Sequence, residues 1–173
     1  MASGKGQRIS AAEHLQEARH HLAGKNPRAA YELLKTAVVQ FDNDPLLLSY
    51  YGYLKAEVDG AYHGGIEDCS RALLLYQRLI LRSGIIGDET LKAVLFLNLG
   101  RAYRAAGMRK DAYDTLTKAM LLDLQNGDIL AEFGCMGVRK RRPIPFLSRS
   151  NPINNFIGKM MRKPAMPLPP RHD

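Results

Sequence analysis

The sequence predicts an all-α protein, a solenoid of helical hairpins that ends in a basic C-terminal extension. Three observations predict it. Apolar residues recur every three to four positions through successive segments, the period of a helix with one buried face. Small residues recur on a longer period: Gly52, Gly100 and Gly134 each follow a bulky residue, and the last two are 34 residues apart. A fixed period of this size marks stacked, similar helical units. Charge and backbone stiffness also change together near Val138, where the regular pattern stops. Nine of the 25 lysines and arginines and seven of the nine prolines lie beyond it, while residues 1 to 137 balance at 16 bases and 16 acids.

Composition bounds the class. With 173 residues, 46% hydrophobic and 24% charged, the chain has enough apolar material for one core and is not expected to be disordered. No stretch approaches the roughly 18 apolar residues that span a bilayer; "ALLLYQRLILR" is interrupted by Gln77 and Arg78. The start has no apolar core of a secretory signal, and Ala2 rules out myristoylation at that position. Cys69 and Cys135 each fall within a predicted helix and are expected as two buried thiols in a reducing compartment, which makes cytoplasm the expected location.

The elements follow in order. A first unit at about 11–44 has Ala30, Leu34 and Ala37 on its second helix, but "AAEHLQEARHHLAG" puts Glu17 and His21 where its first helix should be apolar, leaving that register unsettled. A second unit, about 45–92, opens at Pro45 and carries Leu48, Tyr51 with Gly52, then Gly65 and Ala72. From Gly52 to Gly100 the distance is 48 rather than 34 residues, so the second unit holds an excess of 14, assigned to a long helix from about Gly65 to Arg82 and the loop "SGIIGDE". "DGAYHGG" reads as the turn between its two helices. In the third unit, 93–126, "FLNLGRAYRAAGMRKDAYDTLTKAMLL" places Phe96, Leu99, Gly100 and Tyr103 on one helix and Ala112, Leu116 and Ala119 on the next. Gly107 suits a left-handed helix end, and Gly100, Ala112 and Ala119 are small where helix axes must approach. "GDILAEFGCMGVRK" at 127–138 then reads as a final unpaired helix, the cap that a repeat stack requires.

The third unit resembles the tetratricopeptide repeat (TPR) family, whose 34-residue unit has a bulky residue, Leu-Gly and Tyr on helix A and Ala, Leu or an aromatic, and Ala on helix B. Leu124 stands where the family often has a closing proline. The resemblance implies a right-handed solenoid of about three units plus a cap at 1–138, with the A helices lining a concave groove. It also implies a function: a non-catalytic adaptor or assembly scaffold that binds a partner peptide or protein in that groove. Carried over residue by residue, the groove positions are Tyr50, Tyr53 and Ala56 from the second unit and Leu97, Asn98, Arg101 and Arg104 from the third, with Arg19 from the first. An amide can pair with an extended peptide backbone, a guanidinium with a carboxylate, and a phenol offers rigid area. Leu97 alone offers only apolar contact and is expected to pack against its neighbours instead. The clamp by which some TPR co-chaperones hold a C-terminal carboxylate is largely missing: the matching positions are Leu15, Arg19, Tyr50, Val94 and Asn98. Chaperone tails are therefore not the expected ligand.

Enzymatic chemistry finds no support. No nucleophile-base pairing or phosphate-binding loop occurs at a usable spacing, and His14, His20 and His21 lack the partners that would complete a metal site, so no cofactor is implied.

The tail, 139–173, divides in two. Arg139, Lys140, Arg141 and Arg142 form a basic patch, and Pro143 and Pro145 stop the capping helix from continuing. A short amphipathic helix is then expected at 151–163, with Ile153, Phe156, Ile157 and Met160 in one stripe. Docking of that stripe on the chain's own solenoid ranks first, and a further protein partner second. The alternative function ranks third: binding of an anionic surface, nucleic acid or the face of a membrane, through the tail. Only Phe146 and Phe156 are available there to stack on bases.

Overall fold

A computed structural model describes residues 10–84 and 87–136. They form seven helices and no strand: α1 (Ala11–Ala23), α2 (Pro27–Gln40), α3 (Pro45–Val58), α4 (Tyr62–Ser83), α5 (Glu89–Ala105), α6 (Arg109–Leu122) and α7 (Gly127–Cys135). Local chemistry sets most of the starts. Ser10 and Glu13 close a capping box on α1. Asn26 and Asp44 each accept from the third residue of the helix they open, and each is followed by a proline whose missing N–H has no helical partner to lose. Asp88 accepts from the N–H groups of Thr90 and Leu91, which is why α5 begins at Glu89, inside the predicted second unit. Asn126 does the same for Asp128 and Ile129 at the head of α7.

The chain divides into two compact units, one ending at Glu132 and the other starting at Phe133. In the first, α1 packs with α2, α3 with α4 and α5 with α6, while α2 lies against α3, α4 against α5, and α3 against α5. Of the second unit the structure describes Phe133–Met136, the last turn of α7 and one residue more, in which Met136 N–H donates to Phe133 O at 3.2 Å.

Small residues on a helical period allow the hairpins of the first unit to close. The tightest crossing joins α3 to α4: a Cβ added at Gly65 would lie 2.5 Å from the Gly52 carbonyl oxygen and 2.8 Å from the Ala56 Cβ. At Gly100 the obstacle is the Leu116 side chain, 2.7 Å away. Gly107 takes the left-handed conformation expected of it, with φ 74°.

Several expectations change. In α1 the buried residues are Leu15 and Ala18 while Glu17 is exposed, so the unsettled register resolves onto Leu15, Ala18 and the half-buried Leu22. Tyr62 to Gly65 are not part of the turn; they are the first turn of α4, and the A–B connection shrinks to Asp59–Ala61. The long helix is real, 22 residues ending at a left-handed Gly84. Tyr76 ties it to the head of α5, its hydroxyl donating to Asp88 O at 2.6 Å. Cys69 is a buried thiol, held out of water with its pKa raised by burial, but Cys135 is exposed because it sits on a face of α7 that no described residue covers. The predicted boundary at 138/139, the basic patch Arg139–Arg142 and the stripe Ile153, Phe156, Ile157 and Met160 lie outside the described residues.

Candidate functional site

The A helices of the first unit, α1, α3 and α5, together with the first turns of α7, line one groove of about 800 Å³, within the range of ligand sites. Repeat arithmetic explains which side chains reach it. The residue just after each small helix-A residue forms one row: Arg19 after Ala18, Tyr53 after Gly52, Arg101 after Gly100. The residue two before it forms another at the two ends, Tyr50 and, from Gly134, Glu132, whereas the equivalent residue in the middle, Asn98, is buried against α3. Stacking brings the first row of one helix against the second row of the next. Arg19 Nε donates to the Tyr50 hydroxyl at 3.2 Å, and Arg101 Nε donates to Glu132 Oε1 at 2.9 Å.

Aromatic contacts run between these pairs. The Arg19 guanidinium lies 5.2 Å from the Tyr50 ring centroid, Tyr50 meets Tyr53 edge-on at 6.1 Å, and the Arg101 guanidinium lies 5.3 Å from the Tyr53 ring. Cation–π and edge-to-face geometries both attract. They fix the rotamers of four long side chains before any ligand arrives, which lowers the ordering cost of binding. Tyr53 is 4% exposed, and burial keeps its phenol protonated well above the ordinary range, although the Arg101 charge opposes the shift.

At the α7 end the groove carries its own counterions. Arg104 Nε stands 2.9 Å from Glu132 Oε2 in an ion pair whose N–H is not aimed for a hydrogen bond, and its Nη2 lies 3.7 Å from Glu57. A third carboxylate, Asp128, lies 3.9 Å from Arg101. Burial works against the Arg101 charge, but Glu132, Tyr53 and Asp128 outweigh it and hold the guanidinium above its ordinary pKa.

Of the expected groove residues, Arg19, Tyr50, Tyr53, Arg101 and Arg104 line this one groove. Leu97 and Asn98 do not. Leu97 is 2% exposed and belongs to the interior, the alternative its apolar side chain already suggested. Asn98 is fully buried between α3 and α5, where its amide Nδ2 donates to Ser49 Oγ at 3.0 Å, so it has no edge to offer a peptide. Ala56 is likewise buried, against α4. Sequence reasoning missed Glu132 and Lys25. Counting two back from Gly134, as from Gly52 to Tyr50, would have found the first. No cluster of three or more His, Cys, Asp or Glu suited to a metal occurs among the described residues.

No family model and no curated protein matches the chain. Among solved structures it is similar to the crystal structure of the APC/C hetero-tetramer Cut9-Hcn1, at 24% identity over 89% of this chain with a TM-score of 0.58. The chain spans 30% of that chain's length. Two structures of MamA also match: the RS-1 ArsTM double mutant, at 18% identity over 87% of this chain and 92% of that one, and the 41-end form from Desulfovibrio magneticus RS-1, at 17% over 88% and 94%, each with a TM-score of 0.34. The fold is a TPR-like helical repeat.

Proposed function

We propose that the chain is a non-catalytic protein-interaction adaptor or assembly scaffold that holds an extended segment of a partner protein in the groove of α1, α3, α5 and α7. A right-handed stack of three hairpin units with α7 as its cap, in a reducing cytoplasmic compartment, belongs to this reading. The observation that carries it is the preorganised ladder of Arg19, Tyr50, Tyr53 and Arg101 along one groove. Rigid aromatic area flanked by guanidinium donors is the composition of binding hot spots. The hetero-tetrameric state named for the Cut9-Hcn1 structure is in keeping with a role in assembly.

Cross-linking of the full chain to proteins of its native extract, read by mass spectrometry, tests the proposal. The Arg19→Ala, Arg104→Ala double variant should lose capture by about tenfold while its helical circular-dichroism spectrum stays intact. Both side chains are solvent-accessible, so neither change opens the core. Tyr53→Ala with Arg101→Ala is the poorer choice, since it hollows out a buried site and confounds binding with folding. Undiminished capture by the arginine variant would put the partner on another surface.

A further inference from the structure

The two ends of the groove differ in how their cations are neutralised. Arg101 and Arg19 occupy equivalent places in their repeats, and each donates Nε to the equivalent residue of the next helix. At the α7 end that residue is Glu132, a carboxylate that Arg104 shares. At the α1 end it is Tyr50, a neutral phenol. Arg19 therefore keeps the geometry of the pair and lacks its counter-charge; among the described residues it makes no ion pair, and neither does Lys25, the other cation lining that end.

Lys25 supplies a second, independent observation. Each of the three A–B turns holds one residue in the left-handed region: Gly60 at φ 68°, Gly107 at φ 74° and Lys25 at φ 58°. Two turns use glycine, for which that conformation is free of Cβ strain. The first turn, at the place equivalent to Gly107, uses a lysine, for which it is unfavourable. The residue in this conformation is also one that lines the groove, and local strain of this kind concentrates at binding sites.

We infer that the α1 end of the groove is a carboxylate subsite, in which Arg19 and Lys25 receive an acidic side chain of the partner segment, while Glu132 fills the matching place at the α7 end from within. This rests on the groove reading above and adds the chemistry and direction of the ligand: its Asp or Glu lies over α1, and an acid over α7 meets Glu132 and Asp128.

Selection of displayed dodecapeptides on the immobilised full chain, followed by sequencing, tests it. Wild-type protein should enrich Asp and Glu at one position by about threefold or more, an effect that fades as salt is raised. Lys25→Gly should still select peptides but without that enrichment, and should melt no lower than wild type because glycine relieves the turn; Arg19→Ala should lose the enrichment together with part of the overall capture. A selected acidic peptide remade as its C-terminal amide should bind as well as the free acid; loss on amidation would assign the carboxylate to a chain end and overturn the side-chain subsite. Acidic enrichment that survives both substitutions overturns it as well. Peptides selected by wild type with no acidic preference refute the subsite and leave the groove reading standing, whereas no selection at all takes down the groove reading itself.

Discussion

Gly65→Ala is the sharpest test of how the first unit is held together. The new methyl carbon would stand 2.5 Å from the Gly52 carbonyl oxygen, 2.8 Å from the Ala56 Cβ and 3.0 Å from the Ala56 nitrogen, all well inside the roughly 3.5–4.0 Å of optimal carbon contact. Two of the three obstacles are backbone atoms of α3, which cannot rotate away. Relief requires α3 and α4 to separate by most of an ångström, and overpacking of this kind costs about 1–3 kcal/mol. The helix itself gains about 1 kcal/mol from exchanging glycine for alanine. Taking the upper end of the strain, because backbone meets backbone, the net loss is about 2 kcal/mol, a fall in melting temperature of roughly 6–10 °C for a unit of this size. Gly127→Ala, where nothing lies within 4 Å of the added carbon, is the control and should stay within about 0.5 kcal/mol of wild type. Gly100→Ala should fall between the two, since what it strikes first is the Leu116 side chain rather than backbone. Thermal melts of the full chain followed by circular dichroism measure all three. A Gly65→Ala variant as stable as wild type would refute the claim that the α3–α4 crossing sets the packing.

Two further outcomes are expected. Burial raises the pKa of the Tyr53 phenol and the Cys69 thiol above their ordinary values of 10.0 and 9.0, so their contribution to folding is intact below those values and is lost progressively as pH climbs from them toward the raised folded values. Melting temperature should therefore fall from about pH 9 upward, with the Tyr53 phenolate absorbance appearing only as the chain unfolds; a Tyr53 phenol that titrates normally in the folded chain would contradict its burial. Replacing Arg139, Lys140, Arg141 and Arg142 by Ser should remove about four phosphate-type contacts and make the chain elute from immobilised heparin at clearly lower salt. Unchanged elution would refute a part for these four residues in holding a polyanion.

The repeat was legible because it is written in volume. Gly52, Gly100, Ala112 and Ala119 are small where axes cross, and no surface requirement imitates that pattern. The α1 register was harder to read, because Ala18 carries the small position while the bulky positions expected around it hold Glu17 and His21. Leu97 and Asn98 were placed in the groove from their position on helix A, yet the meeting of α5 with α3 buries more than one stripe, and only packing decides which residues of a helix end beneath a neighbour. Glu132 and Lys25 were missed for different reasons. The first is visible only once the cap is counted as a repeat, and the second only when a left-handed backbone is found on a residue other than glycine.

The excess length of the second unit has a practical consequence. The excess is shared between an outer and an inner helix: α4 has 22 residues against 14 in α6, and α5 begins eleven residues before Gly100 where α3 begins seven before Gly52. The inner contact survives it, since Arg101 still lies over the Tyr53 ring although 48 residues separate the glycines that precede them. Register along the groove is thus kept by the contact between neighbouring A helices rather than by a fixed number of residues per unit, so a unit can be lengthened without breaking the ladder.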